Sequence, residues 1–146
     1  MRSPAESETA GLIINVSLLE IFMEKIITVI DPVRDLTIHQ VRGRVSAVEI
    51  IACLDDYYNG RKITRNTLWD FSETDLGGVS SADIRRILEV VGKYGKARQG
   101  GKTALVLIGE LEYGLGRMFS SLGELENIPF AVSCFRERAR AEEWLS

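Results

Sequence analysis

The sequence predicts a single α/β domain: one small mixed, mainly parallel sheet with an N-terminal hairpin and helices packed on it. Three observations predict it. From Met23 onward, β-branched runs alternate with stretches of helical spacing, the pattern of strand–helix repeats in a mainly parallel sheet. Ala104 to Ile108 is a continuous apolar run, as in a strand covered on both faces. The first two strand candidates are separated only by a short turn, which suggests an antiparallel hairpin.

The elements follow in order. Lys25 to Ile30 is a β-branched strand, and Asp31-Pro32-Val33-Arg34-Asp35 carries turn chemistry before a second strand, Leu36 to Arg42. Ser46-Ala47-Val48-Glu49 has capping-box spacing. The helix it opens aligns Ala47, Ile50, Ile51, Leu54 and Tyr58, and Asn59-Gly60 ends it. Thr67 to Phe71 reads as a strand that enters a polar loop, Ser72 to Gly78. Ser80-Ser81-Ala82-Asp83 repeats the capping pattern before a helix with Ile84, Ile87, Leu88, Val91 and Tyr94 on one stripe. Gly95 and Gly100-Gly101 break it, and the strand Ala104 to Ile108 follows. Leu111, Leu115, Met118, Phe119, Leu122 and Leu125 form the next stripe. Pro129 precedes a final strand, Phe130 to Phe135, and Arg138 to Leu145 closes as a helix with Ala141, Trp144 and Leu145 inward.

The chain has 146 residues, 45% of them hydrophobic and 27% charged, with a formal net charge of −3. Size scaling buries about two thirds of the unfolded surface of such a chain, so its core needs no disulfide or metal staple. The balance excludes a disordered tail and a collagen-like fibre, and no strong global field draws the protein to nucleic acid or an anionic membrane. Cys53 and Cys134 are far apart and read as buried thiols, and His39, the only histidine, reads as a strand side chain. No metal and no cofactor is expected. Residues 1–22 read as an N-terminal extension ahead of a domain at 23–146. Gly11 to Phe22 is apolar but interrupted by Asn15 and Glu20, too short to span a bilayer and without a signal-peptide pattern. The extension is either an over-extended start before Met23 or an amphipathic arm that docks on a partner. A cytoplasmic location is expected.

Several motifs tempt and fail. Gly100-Gly101-Lys102-Thr103 lacks the earlier P-loop glycine and leads into a strand rather than a helix. Gly114-Leu115-Gly116 has Phe119 where a dinucleotide fingerprint needs its third glycine, so these glycines read instead as allowing close approach to a neighbour or a ligand. Arg85, Arg86, Lys93, Lys96, Arg98 and Lys102 read as a solvated basic helix face. Asp70, between Trp69 and Phe71 near a strand's C-terminal end, either binds a ligand or caps the next loop through Ser72 or Thr74. Ser80 and Ser81 open a helix, where the dipole and free amides would favour a phosphate. Their plainer reading is an ordinary N-cap.

Four segments in order resemble the SpoIIAA-like family, distant relatives of STAS domains: Val41-Arg42-Gly43-Arg44-Val45, Leu68-Trp69-Asp70-Phe71-Ser72, Tyr113-Gly114-Leu115-Gly116-Arg117-Met118-Phe119, and Phe135-Arg136 through Ala141-Glu142-Glu143-Trp144-Leu145. The aromatic-Gly-Leu-Gly-Arg-Met segment is the most specific of them. The resemblance implies a small sheet covered by helices, no catalytic activity, and a bacterial regulatory or protein-interaction module of the anti-sigma-factor-antagonist-like class. Some STAS domains are switched by phosphorylation of a serine at a helix start, which makes Ser80 and Ser81 the candidates here, although the Asp and Gly that flank that serine in the family are missing. The fold also resembles CRAL-TRIO lipid-transfer domains, which hold an apolar ligand between sheet and helices. The alternative is therefore a small-molecule or lipid-binding protein. Its site residues would be Asp70, Tyr113, Gly114, Gly116 and Arg117, with Arg117 as anion clamp. The expected partner is a protein or a small apolar or anionic ligand, and the hairpin's exposed edge offers a surface for a homodimer.

Overall fold

A computed structural model describes residues 25–60 and 62–146. The N-terminal extension lies outside the described residues. The element order is β1 (Ile26–Asp31), β2 (Leu36–Arg44), α1 (Ala47–Gly60), β3 (Asn66–Asp75), α2 (Ser81–Tyr94), a 3-10 turn (Gly95–Arg98), β4 (Lys102–Val106), α3 (Glu110–Leu125), β5 (Ala131–Phe135) and α4 (Arg138–Leu145). The five strands form one sheet in the order β1-β2-β3-β4-β5. β1 pairs antiparallel with β2, and the other three pairings are parallel. The mixed, mainly parallel sheet with its N-terminal hairpin is thus the one the sequence predicts.

The local chemistry acts where the sequence placed it. The Asp31 carboxylate accepts the Val33 and Arg34 amides across the hairpin turn, and Asp35 takes a positive φ of 50°. Ser46 and Glu49 form the predicted capping box: the Ser46 amide donates to Glu49 Oε1 at 3.0 Å, and the Glu49 amide donates to Ser46 Oγ at 3.3 Å. Ser80 and Asp83 form the second, with the Ser80 amide 2.9 Å from Asp83 Oδ2.

One boundary differs. Ser72 to Asp75, expected as loop, continues β3. A register shift between Gln40 and Arg42, where Val41 faces both Phe71 and Ser72 of β3, re-aligns the strands, so Arg42, Gly43 and Arg44 pair with Glu73, Thr74 and Asp75. Gly43 at φ +78° supplies a backbone conformation that a side chain would strain. Of the expected loop only Leu76 to Gly78 remains, with Arg44 packed over Gly77 and Gly78.

The sheet has two cores. On one side α1, α2 and α3 bury Ile50, Leu54, Ile87, Val91, Leu115 and Phe119 against Val41, Trp69, Phe71 and Leu105. On the other side, among the described residues, α4 buries Ala141 and Leu145 against Leu36, Leu68, Ala104 and Val106. The outer strand β1 leaves Ile27 and Val29 exposed on the α4 side. Among the described residues no helix is long and apolar enough to cross a membrane.

Two glycines give opposite expectations. A Cβ at Gly101 would run into the Arg65 carbonyl oxygen, whereas one at Gly114 meets nothing within 4 Å. Gly101→Ala should therefore destabilise by about 1–3 kcal/mol. Gly114→Ala should stabilise by about 0.5–1 kcal/mol, because it removes a glycine from a helix interior. Urea denaturation of the two variants reads both, and equal midpoints would contradict the packing described.

Candidate functional site

The N-terminal ends of the parallel strands carry polar side chains in an otherwise apolar interior. Thr67 and Thr103, opposite one another on β3 and β4, hydrogen-bond at 3.0 Å. Thr37 and Thr64 do so at 2.7 Å, and the Thr64 amide donates to the Tyr57 hydroxyl at 2.9 Å. Arg98 comes from the 3-10 turn and is only 3% exposed. Its Nη1 donates to Thr103 Oγ1 at 2.8 Å and its Nη2 to the Lys102 carbonyl at 2.8 Å. Nε and Nη2 both reach the Arg65 carbonyl. The guanidinium lies over the Phe130 ring, 4.4 Å from its centroid.

Above this polar floor the layer formed by α1, α2 and α3 does not close fully on the sheet. An apolar cavity of about 80 Å³ remains between them. Its walls are almost wholly hydrocarbon, with Trp69 and Leu105 from the sheet, Leu54 and Ile87 from α1 and α2, and Phe119 from α3. Arg98, Thr103 and Tyr58 bring the polar groups. Burial pushes the Tyr58 hydroxyl's pKa up, and the neighbouring Arg98 charge opposes that shift. Space of this kind, lined by hydrocarbon, stays dry and receives apolar atoms more readily than water.

The sequence-predicted ligand residues do not converge on this space. Gly116 alone lines it. Its helix approaches so closely that a Cβ there would stand 2.6 Å from Leu107 Cδ1 and 3.2 Å from Cys134 Sγ. Gly114 is a correction: it is exposed with open space around it, so it serves no close approach. Asp70 is 4% exposed but faces α4, on the other side of the sheet from α3. Its Oδ1 accepts the Ser72 amide at 2.9 Å, the loop-capping role. Its Oδ2 also accepts from Arg138 Nη1 at 3.3 Å, and Arg138 bridges on to Gln40 Oε1 at 3.0 Å. Asp70 thus fastens the start of α4 to the sheet. Tyr113 stacks its half-buried ring under the Arg136 guanidinium at 4.1 Å. Arg117 is exposed on α3, outside the cavity, where its charge acts on Cys134.

Ser80 and Ser81 are exposed at the start of α2, and Ser80 Oγ accepts the Asp83 amide at 3.1 Å. His39 is fully buried on β2, 4.1 Å from the Trp69 ring and hydrogen-bonded to Thr28 Oγ1 at 2.9 Å through Nδ1. The basic set from Arg85 to Lys102 needs a second correction, because two of its members are not on a solvated helix face. Arg98 is buried, and half-buried Lys102 donates to the Trp144 carbonyl at 2.9 Å. The glycines at 95, 100 and 101 were the available signal. They end the helix before Arg98, so its direction is set by the turn rather than by helical spacing.

Sequence order, sheet topology and helix placement together can be set against known proteins. An uncharacterized protein of the DUF3478 family from Shewanella loihica, solved with a SpoIIAA-like fold, superposes with a TM-score of 0.53 over 83% of this chain and 94% of its own, at 21% identity. The fold is SpoIIAA-like. No family model matches the chain, and no curated protein does. The SpoIIAA-like fold accounts for the hairpin and the helix-covered sheet and leaves the identity of the site to this chain's own residues.

Cys134 lines the gap between α3 and β5, and burial pushes its pKa up to about 11, with Arg117 pulling weakly the other way. At pH 8 that leaves about one thiolate in a thousand, against about one in four for an unfolded cysteine. In a Cys53→Ser background, Cys134 should react with a disulfide reagent about twenty-fold more slowly in the native protein than in denaturant, since the greater nucleophilicity of the higher-pKa thiolate offsets about tenfold of its scarcity. The native rate should rise with pH, and Arg117→Gln should slow it further. Equal native and denatured rates would contradict the burial.

Proposed function

We propose that the protein is a cytoplasmic, non-enzymatic binding module whose cavity between the sheet and α1–α3 receives a small apolar molecule. The single observation that carries this reading is the cavity itself: space left in the core on the three-helix side, walled by branched and aromatic side chains. Natural cores are packed to crystal density, and voids large enough for a ligand are few. No side chain beside the cavity pairs a nucleophile with a base. The hydroxyls of Thr67 and Thr103 are engaged with each other, and His39 lies under Trp69. Binding without turnover is the chemistry this arrangement supports.

The regulatory reading through Ser80 or Ser81 has weaker support. A phosphate on Ser80 Oγ would stand beside the Asp83 carboxylate, which already holds the Ser80 amide and pairs with Arg86. Like charges at that spacing would disrupt the cap rather than organise it. Ser81 carries no such conflict and remains the better position for a modification.

Xenon tests the cavity without chemical bias. Under pressure it should shift methyl resonances of Leu54, Ile87 and Leu105 in the full chain, and Ile87→Phe should abolish the shifts by filling the space. In native mass spectrometry, gently purified protein should carry a mass excess that disappears on denaturation, and Ile87→Phe should lack it. Methyl groups silent to xenon, together with a clean apo mass, would overturn the reading.

A further inference from the structure

Resting on the cavity reading, we infer that the ligand carries a carboxylate or similar anionic head, received by Arg98 at the floor of the cavity. The guanidinium is 3% exposed and lies against apolar walls, yet among the described residues no carboxylate pairs with it. Six of the other arginines, Arg34, Arg44, Arg86, Arg136, Arg138 and Arg140, have an acidic partner, and all six are more open to water than Arg98. Arg42, Arg65, Arg85 and Arg117 have no ion pair among the described residues, but they are exposed, where water solvates the charge. Arg98 is the one buried arginine among the described residues, and it has no counter-charge there.

Carbonyls and hydroxyls satisfy its hydrogen bonds but not its charge. Of the five N–H donors of a guanidinium, Nε, both on Nη2 and one on Nη1 are taken by Arg65, Lys102 and Thr103. The remaining N–H is left for the Tyr58 hydroxyl, the one phenol on the cavity wall, with which Arg98 hydrogen-bonds. A carboxylate entering from the cavity would meet this corner by displacing the neutral Tyr58 oxygen from the guanidinium, gaining that N–H and the Tyr58 O–H as donors. Removing a charge from water without pairing it is costly, and a bound anion offsets that cost where no residue of the chain does. The apolar walls then hold the body of the ligand. Arg117, the anion clamp expected from the sequence, is exposed and outside the cavity, so it cannot perform this role from its position.

The experiment compares hexanoate with 1-hexanol, which share a hydrocarbon body and differ in the head. Both are titrated into the full-length protein by NMR, following the methyl groups of the cavity and the Nε–H of Arg98. Hexanoate should bind at least tenfold more tightly than hexanol and should move the Arg98 Nε–H resonance. Arg98→Gln should remove the preference while leaving hexanol binding in place. Because that variant also loosens the clamp on β3 and β4, Tyr58→Phe provides a milder one, with a several-fold loss for hexanoate only. Equal binding of the two probes by the wild-type protein would overturn the anionic head and leave the cavity reading intact. Binding of neither would overturn the cavity reading itself. A hexanoate preference that moves Arg117 and not Arg98 would also overturn this assignment.

Discussion

The rest of this structure depends on one constraint: three consecutive parallel strand connections in a sheet whose order follows the sequence. Each connection must cross the sheet, and crossovers have one hand, so α1, α2 and α3 are all delivered to the same face. The other face receives no crossover helix from these connections. Among the described residues it is covered by α4, eight residues that follow the last strand. This explains why β3 and β4 read as apolar on both faces while β1 does not. It also explains why Asp70 and Arg138 matter structurally. A helix of two turns buries too little apolar surface to hold itself, and a salt bridge at its first turn, one partner of which is 5% exposed, fixes its start to the central strand.

The same constraint shapes the cavity. Three helices laid side by side must cover four strands, and their contact residues are chosen to meet each other as well as the sheet. Gly116 lets α3 sit down on Leu107 and Cys134 at one end. At the other end the strands begin with threonines, whose hydroxyls pair across the sheet and contribute little volume. The cavity runs from this polar floor, with Arg98 and Thr103, to Leu107, Leu115 and Gly116 at the other end of the sheet. Arg98 enters at the polar end. Its aromatic partner Phe130 stands just before β5, and Gly95 packs so closely on Pro129 that the turn carrying Arg98 has little freedom to swing out. The cation is held inside by the backbone on either side of it.

How much of this was legible in sequence divides along a physical line. Elements whose signal is periodic or local were readable: the hairpin turn from Asp31 to Asp35, both capping boxes, the stripe of α2, and the closing helix with Ala141, Trp144 and Leu145 inward. Features that depend on pairing between distant segments were not. Ser72 to Asp75 looks like loop because it is polar, and it is strand because a bulge in β3, with Phe71 and Ser72 opposite Val41, brings it beside Arg42 to Arg44. The candidate ligand set is spread apart for a related reason. Asp70, Tyr113, Gly114, Gly116 and Arg117 share a position near the C-terminal ends of strands, but sequence does not say which face of the sheet a residue in β3 shares with α3. Alternation along β3 sets Trp69 and Phe71 on the three-helix side and Asp70 on the other. Arg98 was grouped with its basic neighbours because charge is counted along the chain, while burial is decided by where a glycine-bounded turn points.

Arg98 also sets what kind of ligand response this fold can give. The guanidinium ties the Arg65 carbonyl, before β3, to the Lys102 carbonyl and Thr103 hydroxyl on β4, so it is part of the pairing of the two central strands at their open ends. An anion that draws the Nη1 edge toward the cavity leaves the Nε and Nη2 edge on the carbonyls, because a planar fork can serve two directions at once. A lysine, with one ammonium point, would have to choose between them. Occupation of the cavity would then strengthen the strand clamp rather than compete with it, and binding and stability at this end of the sheet would rise together. The geometry that makes the residue look structural places two edges on carbonyls and leaves the Nη1 edge on a neutral hydroxyl, Thr103, which an anion would outcompete.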